Sequence, residues 1–338
     1  MPQMHSILSL EDELSRPSDA DCAFMRGLEG DLLVLGAGGK MGPSLARRAR
    51  RAADQNGVPR RVIAAARFAS GGTERQLAEW GIEAISCDLL NRDQIAHLPD
   101  CANVLLLAGR KFGSTGNMPL TWATNTLLPA IVAERFRGSR IVALSSGNVY
   151  PLSTSGATEE TPPAPVGEYA QSVLGRERMF EYFSHRDRTP VAIIRLNYAV
   201  DLRYGVLLDI GRCVWQRRPV PLTMGAVNVI WQGDANSMVL RALALAAAPP
   251  RILNVTGPET LRVGWIAERF GELFGIAPRF EGREAETALL NDSSQCCRLL
   301  GPPSVTAGEL IQWQAEWISA SLPTLDKPTH FEVRDGAF

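Results

Sequence analysis

Six short, largely apolar runs recur through the first two hundred positions of the chain, at 31–35, 61–66, 82–86, 103–108, 140–145 and 191–196. Each has the length of a buried strand. They stay apolar instead of alternating with polar residues, the pattern of strands covered by helices on both faces. The spacing between runs leaves room for one crossover helix each time, so the pattern predicts βαβ units and an α/β fold with a doubly wound parallel sheet. After Asn197 the rhythm changes. A Tyr- and Arg-rich stretch (198–221) is followed by an apolar helix near 235–248, another strand-like run at 251–255, and a helical end rich in Leu and Trp. This half is expected to complete the sheet and to build a smaller C-terminal substrate-binding subdomain. The division expected is an N-terminal extension (1–29), a nucleotide domain (30–197), the mixed second part (198–325) and a tail (326–338). The extension predicts one helix outside the sheet, from its 7–14 pattern. The segment 151–168 holds four prolines and reads as a long ordered loop placed to cover a site.

The first run leads directly into a turn carrying Gly36, Gly39 and Gly42, and a helical pattern follows from Pro43. Strand, glycine turn and helix in that order are the context of the Rossmann dinucleotide fingerprint. Bare backbone lets a pyrophosphate approach the free N–H groups at the helix N-terminus. Lys40 adds a positive charge inside the turn, beside Met41. At the end of the second run, where an acidic residue would hold the ribose of NAD, the chain has Ala66 and Arg67, which favours NADP over NAD. Asp88, next to Leu89, is placed either for the adenine amino group or for helix capping. Ala108 and Gly109, ending the fourth run, complete the expected cofactor contacts.

Composition narrows the partners. Across 338 residues, 35 basic side chains face 36 acidic ones, so no charge footprint recommends nucleic acid or an anionic membrane; a small neutral or anionic molecule is the expected ligand. Six cysteines without CxxC spacing and four scattered histidines give neither a disulfide framework nor a metal site. The first thirty residues lack the basic-then-apolar pattern of a signal peptide, and no apolar run is long enough for a bilayer, so a cytoplasmic protein is expected.

From residue 31 to about 320 the chain resembles the extended short-chain dehydrogenase/reductase family, the NAD(P)-dependent epimerase/dehydratase group. The resemblance runs collinearly through Gly36, Gly39 and Gly42, Asp88, Asn125 of Trp122-Ala-Thr-Asn, and Ser145-Ser-Gly-Asn-Val-Tyr150. It continues through Asn254-Val-Thr-Gly-Pro-Glu259 to Trp313-Gln-Ala-Glu-Trp317. It implies Ser146 as the hydrogen-bond donor to a substrate oxygen, Tyr169 as acid and base, Asn125 as a supporting site residue, and a homodimer through two helices. The family's Tyr-x-x-x-Lys lysine is here Val173. Without an ammonium beside it, the Tyr169 phenol is expected to titrate near its ordinary ~10 or above.

Two cations are candidates to compensate. Lys111, the preferred one and a candidate catalytic residue, follows the fourth strand at the carboxyl ends of the strands, where open α/β proteins bind ligands; Arg176, its rival, lies seven residues after Tyr169 on the same helix face. The competing reading is a protein that binds cofactor without turnover, as a sensor or scaffold. The arginine that grips a nucleotide-sugar diphosphate in many members is replaced by Val227, which favours a sugar, sugar acid or related hydroxy/keto substrate. A nucleotide-sugar epimerase or dehydratase with tightly held NAD is the alternative. Arg195, Arg203 or Arg212 would bind a carboxylate, and Asn197, Tyr198, Tyr204, Trp231 and Gln232 would contact hydroxyls.

Overall fold

The computed structural model describes residues 4–68, 72–111 and 116–336. Six strands come first: β1 (Leu32–Leu35), β2 (Val62–Ala66), β3 (Glu83–Ser86), β4 (Asn103–Leu106), β5 (Arg140–Ser146) and β6 (Val191–Leu196). Four short strands follow, β7 (Ala199–Val200), β8 (Pro219–Pro221), β9 (Ala226–Val227) and β10 (Ile230–Trp231), and then β11 (Arg251–Val255), which returns to the main sheet. That sheet has the order β11-β6-β5-β4-β1-β2-β3, and every pairing in it is parallel. The chain reverses its direction of strand addition between β1 and β4, which opens a crevice at their carboxyl ends. The observed strands begin and end within two residues of the predicted runs. β3 is the exception in burial: it is half exposed because it is the last strand of the sheet.

Alternation along β1 sends its side chains to opposite faces. Leu32 and Val34 join a cluster with Leu45 and Ala49 of α3 (Gly42–Gln55), while Leu33 and Leu35 join one with Ile131 of α7 (Leu128–Arg135) and Phe180 of α8 (Gly167–Asp187). Both faces are therefore covered, as the uninterrupted apolar runs require. Between β4 and α7 lie α6 (Met118–Trp122) and a π-helical turn over Ala123–Leu127.

A second core gathers α9 (Val206–Trp215), α11 (Val263–Phe274) and α13 (Ala307–Ser319) around Ile210, Phe270 and Trp317. The helix expected near 235–248 is α10 (Gln232–Arg241), ending in a 3-10 turn over Ala242–Leu245.

The N-terminal extension corrects its expectation. It forms two helices, α1 (Ile7–Leu14) and α2 (Asp19–Gly27), each opened by a capping box, at Ser6 and Ser18. Both lie outside the sheet, as expected, packed on α3 and α10. Leu10 and Leu14 are fully buried in the second core, and Asp21 is fully buried against Arg48 at 2.7 Å and Ser237 at 2.6 Å. Two serine caps twelve residues apart carried the signal for this break. The proline-rich segment is irregular up to α8 and is fixed by backbone bonds, Ser153 N–H to Ala288 O at 2.9 Å and Ala157 N–H to Leu290 O at 2.8 Å. No helix among the described residues is long and apolar enough to cross a membrane.

Candidate active site

The glycine turn follows β1 and opens α3. Gly36 has φ +84°, and a Cβ there would lie 2.5 Å from the Ala108 nitrogen; one on Gly42 would lie 2.5 Å from the Cα of Ala37. Only bare backbone fits at either position. No side chain caps α3, so its first N–H groups face the turn, a cradle suited to a pyrophosphate. Beside it runs a groove of about 440 Å³. It brings together Gly36 and Gly39 with the predicted Arg67, Asp88, Leu89, Ala108 and Gly109. Asp88 is not a helix cap: Asn91 caps the following helix, and Asp88 accepts from Leu90 N–H at 3.0 Å at the groove wall. Lys40 and Met41 line an adjoining cavity of about 400 Å³. The Lys40 ammonium donates to Ala199 O at 2.8 Å and sits 4.5 Å from the centre of the Tyr204 ring. It is thus held toward the second half of the chain.

That adjoining cavity gathers several of the residues expected to be catalytic. It is lined by Asn125, Ser145, Tyr169, Val173 and Arg176 together with Gly36 and Gly39. Ser146 ends β5, where the strand meets the crevice; its side chain donates to Asn148 Oδ1 at 3.0 Å and lies near enough to Tyr169 to lower the phenol. Tyr169 stands in the first turn of α8. Burial pushes its phenol above the usual value, while the Ser146 bond and the Arg176 charge pull it back down. Val173, one turn on, packs with Val149, Tyr150 and Ala157 and contributes no charge.

Arg176, another turn along, is buried. It donates to Leu144 O at 2.5 Å and to Asn125 Oδ1 at 2.9 Å. Asn125 is presented by the π-helical turn and fixed by Arg110 N–H at 2.9 Å and by Ser172 Oγ at 2.9 Å, to which its amide donates. The guanidinium also explains Gly109: a Cβ there would come within 2.8 Å of an Arg176 nitrogen. Of the two candidate cations, Arg176 sits on the same helix as Tyr169 and its charge lowers the phenol. Lys111 lines the same cavity and donates to Thr329 O at 3.4 Å.

The expected substrate residues divide. Asn197, Tyr198 and Tyr204 line a cavity of about 190 Å³ continuous with Ser146 and Tyr169. Arg195 does not reach it. It is buried in an ion pair with Glu177 at 2.7 Å and donates to the Tyr150 hydroxyl at 2.6 Å, so it braces β6 against α8. Arg203 pairs with Asp201 at 3.2 Å and Glu11 at 3.4 Å, and Trp231 is buried edge-on to Trp313 with ring centres 5.6 Å apart. Arg212 faces a separate cavity of about 480 Å³ outside the tail, which contains neither the glycine turn nor Tyr169. Sequence reasoning missed the tail. Leu325 and Lys327 line the Tyr169 cavity and Thr329 lines the smaller one, on a stretch with no periodic pattern to announce it.

The sheet order, the glycine cradle and the crevice between β1 and β4 define a Rossmann-type dinucleotide-binding fold. Residues 32–199 match the model of the NAD dependent epimerase/dehydratase family. Among solved structures, a tyrosine-to-phenylalanine mutant of UDP-glucuronic acid 4-epimerase from Bacillus cereus is 17% identical with a TM-score of 0.74, over 86% of this chain and 99% of that one. That structure holds UDP-4-deoxy-4-fluoro-glucuronic acid and NAD. MoeE5 in complex with UDP-glucuronic acid and NAD is 22% identical with a TM-score of 0.70, over 87% and 100% of the two chains. The UDP-glucose 4-epimerase of Thermus thermophilus, in complex with NAD, is 18% identical with a TM-score of 0.70, over 86% and 100%. At these identities the likeness is one of fold. No curated protein matches the chain in sequence.

Proposed function

We propose that the protein binds a nicotinamide dinucleotide in the groove beside the glycine turn and interconverts an alcohol and a carbonyl on a sugar-type substrate, with Tyr169 as proton donor and acceptor. The observation that carries this reading is that Tyr169 lines two adjoining cavities, one with Asn125 and the glycine turn and the other with Ser146, all distant in sequence. When bound, the nicotinamide supplies a hydride acceptor or donor for the carbon bearing the substrate oxygen.

The chain's own residues do the rest. Ser146 Oγ hydrogen-bonds the substrate oxygen and the Tyr169 hydroxyl, aligning the two. In the oxidising direction the Tyr169 oxygen takes the hydroxyl proton as the C–H electron pair departs; in the reducing direction it returns that proton to the new alkoxide. Arg176 holds a fixed positive charge near the phenol and favours phenolate. It cannot pass a proton on, because guanidinium stays charged throughout the working range. Burial raises the phenol, so at neutral pH it carries the proton that carbonyl reduction calls for.

Arg67, at the groove wall, supports NADP as the preferred cofactor, with its guanidinium on the 2′-phosphate. Exposed Trp122, Leu127 and Tyr182 on the α6 to α8 side support a homodimer through these helices. The cofactor assignment is tested by calorimetric titration with NAD and NADP. Tighter NADP binding is expected, and Arg67→Asp should reverse the order; an unchanged ratio refutes the role of Arg67. Spectrophotometric turnover of NADPH with sugar-type carbonyls tests the activity. NAD that survives purification would instead mark an epimerase that holds its cofactor through the cycle, and cofactor binding without turnover of any carbonyl would mark a sensor.

A further inference from the structure

The last stretch of the chain has no helix or strand, yet it is fastened at short intervals to the second half of the molecule. Leu325 N–H donates to Arg203 O at 3.0 Å. Thr329 gives both its N–H and its hydroxyl to Asp209 of α9, at 2.8 and 2.5 Å. Phe331 is buried in the second core, and Glu332 O accepts from the Thr223 hydroxyl at 3.2 Å. Arg334 donates to Thr287 O at 2.6 Å and to the Thr287 hydroxyl at 2.8 Å. Fastening of this density keeps an irregular segment in one place, since the bonds and the buried ring must be given up together for it to swing away.

The far end crosses to the helix that carries Tyr169. Gly336 and Gly167, the first residue of α8, both have positive φ, +75° and +82°, and they meet backbone to backbone. A Cβ on Gly167 would lie 2.5 Å from Gly336 O, and one on Gly336 would run into the Val166 carbonyl oxygen. Two bare residues facing each other allow an approach that side chains would block. The contact lies two residues before Tyr169. Between its fastenings the stretch lines the cavities described above: Leu325 and Lys327 the one with Tyr169 and the glycine turn, Thr329 the one with Ser146. Val333, Arg334 and Gly336 line a narrow cleft that shares Asn148 and Tyr198 with the latter. Among the described residues lining the groove with Arg67 and Asp88, none comes from this stretch. It therefore stands where a nicotinamide and the substrate carbon would meet, and away from the adenosine half of the cofactor.

We propose that residues 325–336 are the outer wall of the active site, a strap that limits the access of bulk water to Tyr169 and to the nicotinamide end of the dinucleotide. This rests on the redox reading of the same cavities. Keeping water away strengthens the electrostatic contacts inside and protects a reactive hydride carrier, so the wall serves that chemistry directly. The test uses full-length chains carrying Gly336→Val, which unseats the strap from α8, or Thr329→Val, which removes the hydroxyl bond to Asp209. NADPH should bind each within about 3-fold of wild type, because the glycine cradle and the Arg67 groove are untouched. Acrylamide quenching of the bound NADPH emission should rise about 2-fold or more. The three lysines of the chain, Lys40, Lys111 and Lys327, all line the Tyr169 cavity. In the cofactor-free protein, trinitrophenylation of Lys40, read by peptide mass, should therefore quicken ~10-fold. Quenching and Lys40 reactivity equal to wild type in both variants overturn the wall. A loss of NADPH affinity of ~10-fold or more with quenching unchanged overturns it as well, and places the strap on the cofactor. If either variant fails to fold, amide exchange in the wild type decides: NADPH should slow it over 325–330, and no slowing overturns the proposal. A wild-type chain that binds neither NADPH nor NADH fails the redox reading itself, and the Lys40 rates then still decide whether the strap covers the cavity.

Discussion

Tyr169 and Arg176 share one face of α8 two turns apart, and the Arg176 charge offsets part of the upward push of burial on the phenol. A positive charge near a phenol stabilises phenolate, so removing it must raise a value that burial has already raised. In Arg176→Met, the oxidation rate plotted against pH should shift its rising limb upward relative to wild type, and turnover at neutral pH should fall by roughly 10²-fold, within the range of lost general acid–base help. Arg176→Lys should recover part of it. A profile that does not move would show that the guanidinium only buttresses Asn125. The sequence put Lys111 first and Arg176 second, because the place of Lys111 after the fourth strand can be read from spacing whereas its route toward Thr329 depends on a tail with no pattern of its own. The misreading of Arg195 has the same origin. Its partner Glu177 comes from α8 and Tyr150 from the end of β5, and only the folded sheet brings them within 3 Å.

At the scale of elements, the βα junction at Gly36 is the most constrained point of the nucleotide half. Gly36→Ala puts a side chain in the left-handed region, at a cost of ~1–2 kcal/mol, and drives a methyl into Ala108, so the melting temperature should drop and dinucleotide affinity should fall by at least ~10-fold. Calorimetry on the purified variant checks the second effect, and affinity equal to wild type would remove the turn from the binding site. Parallel strands were legible in the sequence because burial on both faces leaves unbroken apolar runs, and their ends were legible because glycine and polar residues follow at once. The short pairs β7 with β10, β9 with β12 (Leu261–Arg262) and β8 with β13 (Arg279–Glu281) were not. Two or three residues are too few for any period to show. The π-helical turn at Asn125 was equally silent, since one inserted residue inside a helix leaves the apolar spacing nearly intact.

On the scale of the molecule, α2 is bolted to α3 and α10 through one buried carboxylate. Burial alone would raise Asp21, but Arg48 and the hydroxyls of Ser237 and Ser18 hold it below the usual carboxylate value. A lowered native value contributes stability that is present at neutral pH and lost as pH falls below ~4 toward that value. Asp21→Asn should therefore cost roughly 3–5 kcal/mol near neutrality by stranding Arg48, and the gap from wild type should narrow in acid. Denaturant titrations at both pH values read this directly, and a gap independent of pH would assign the loss to packing alone. The placement of the three lysines has a practical side. Apart from the backbone amino terminus, every primary amine of this chain borders the cavity that holds Tyr169. Ester dyes, aldehyde fixatives and amine-coupled sensor chips, which on most proteins spread over a surface rich in such groups, will here be directed to that one cavity.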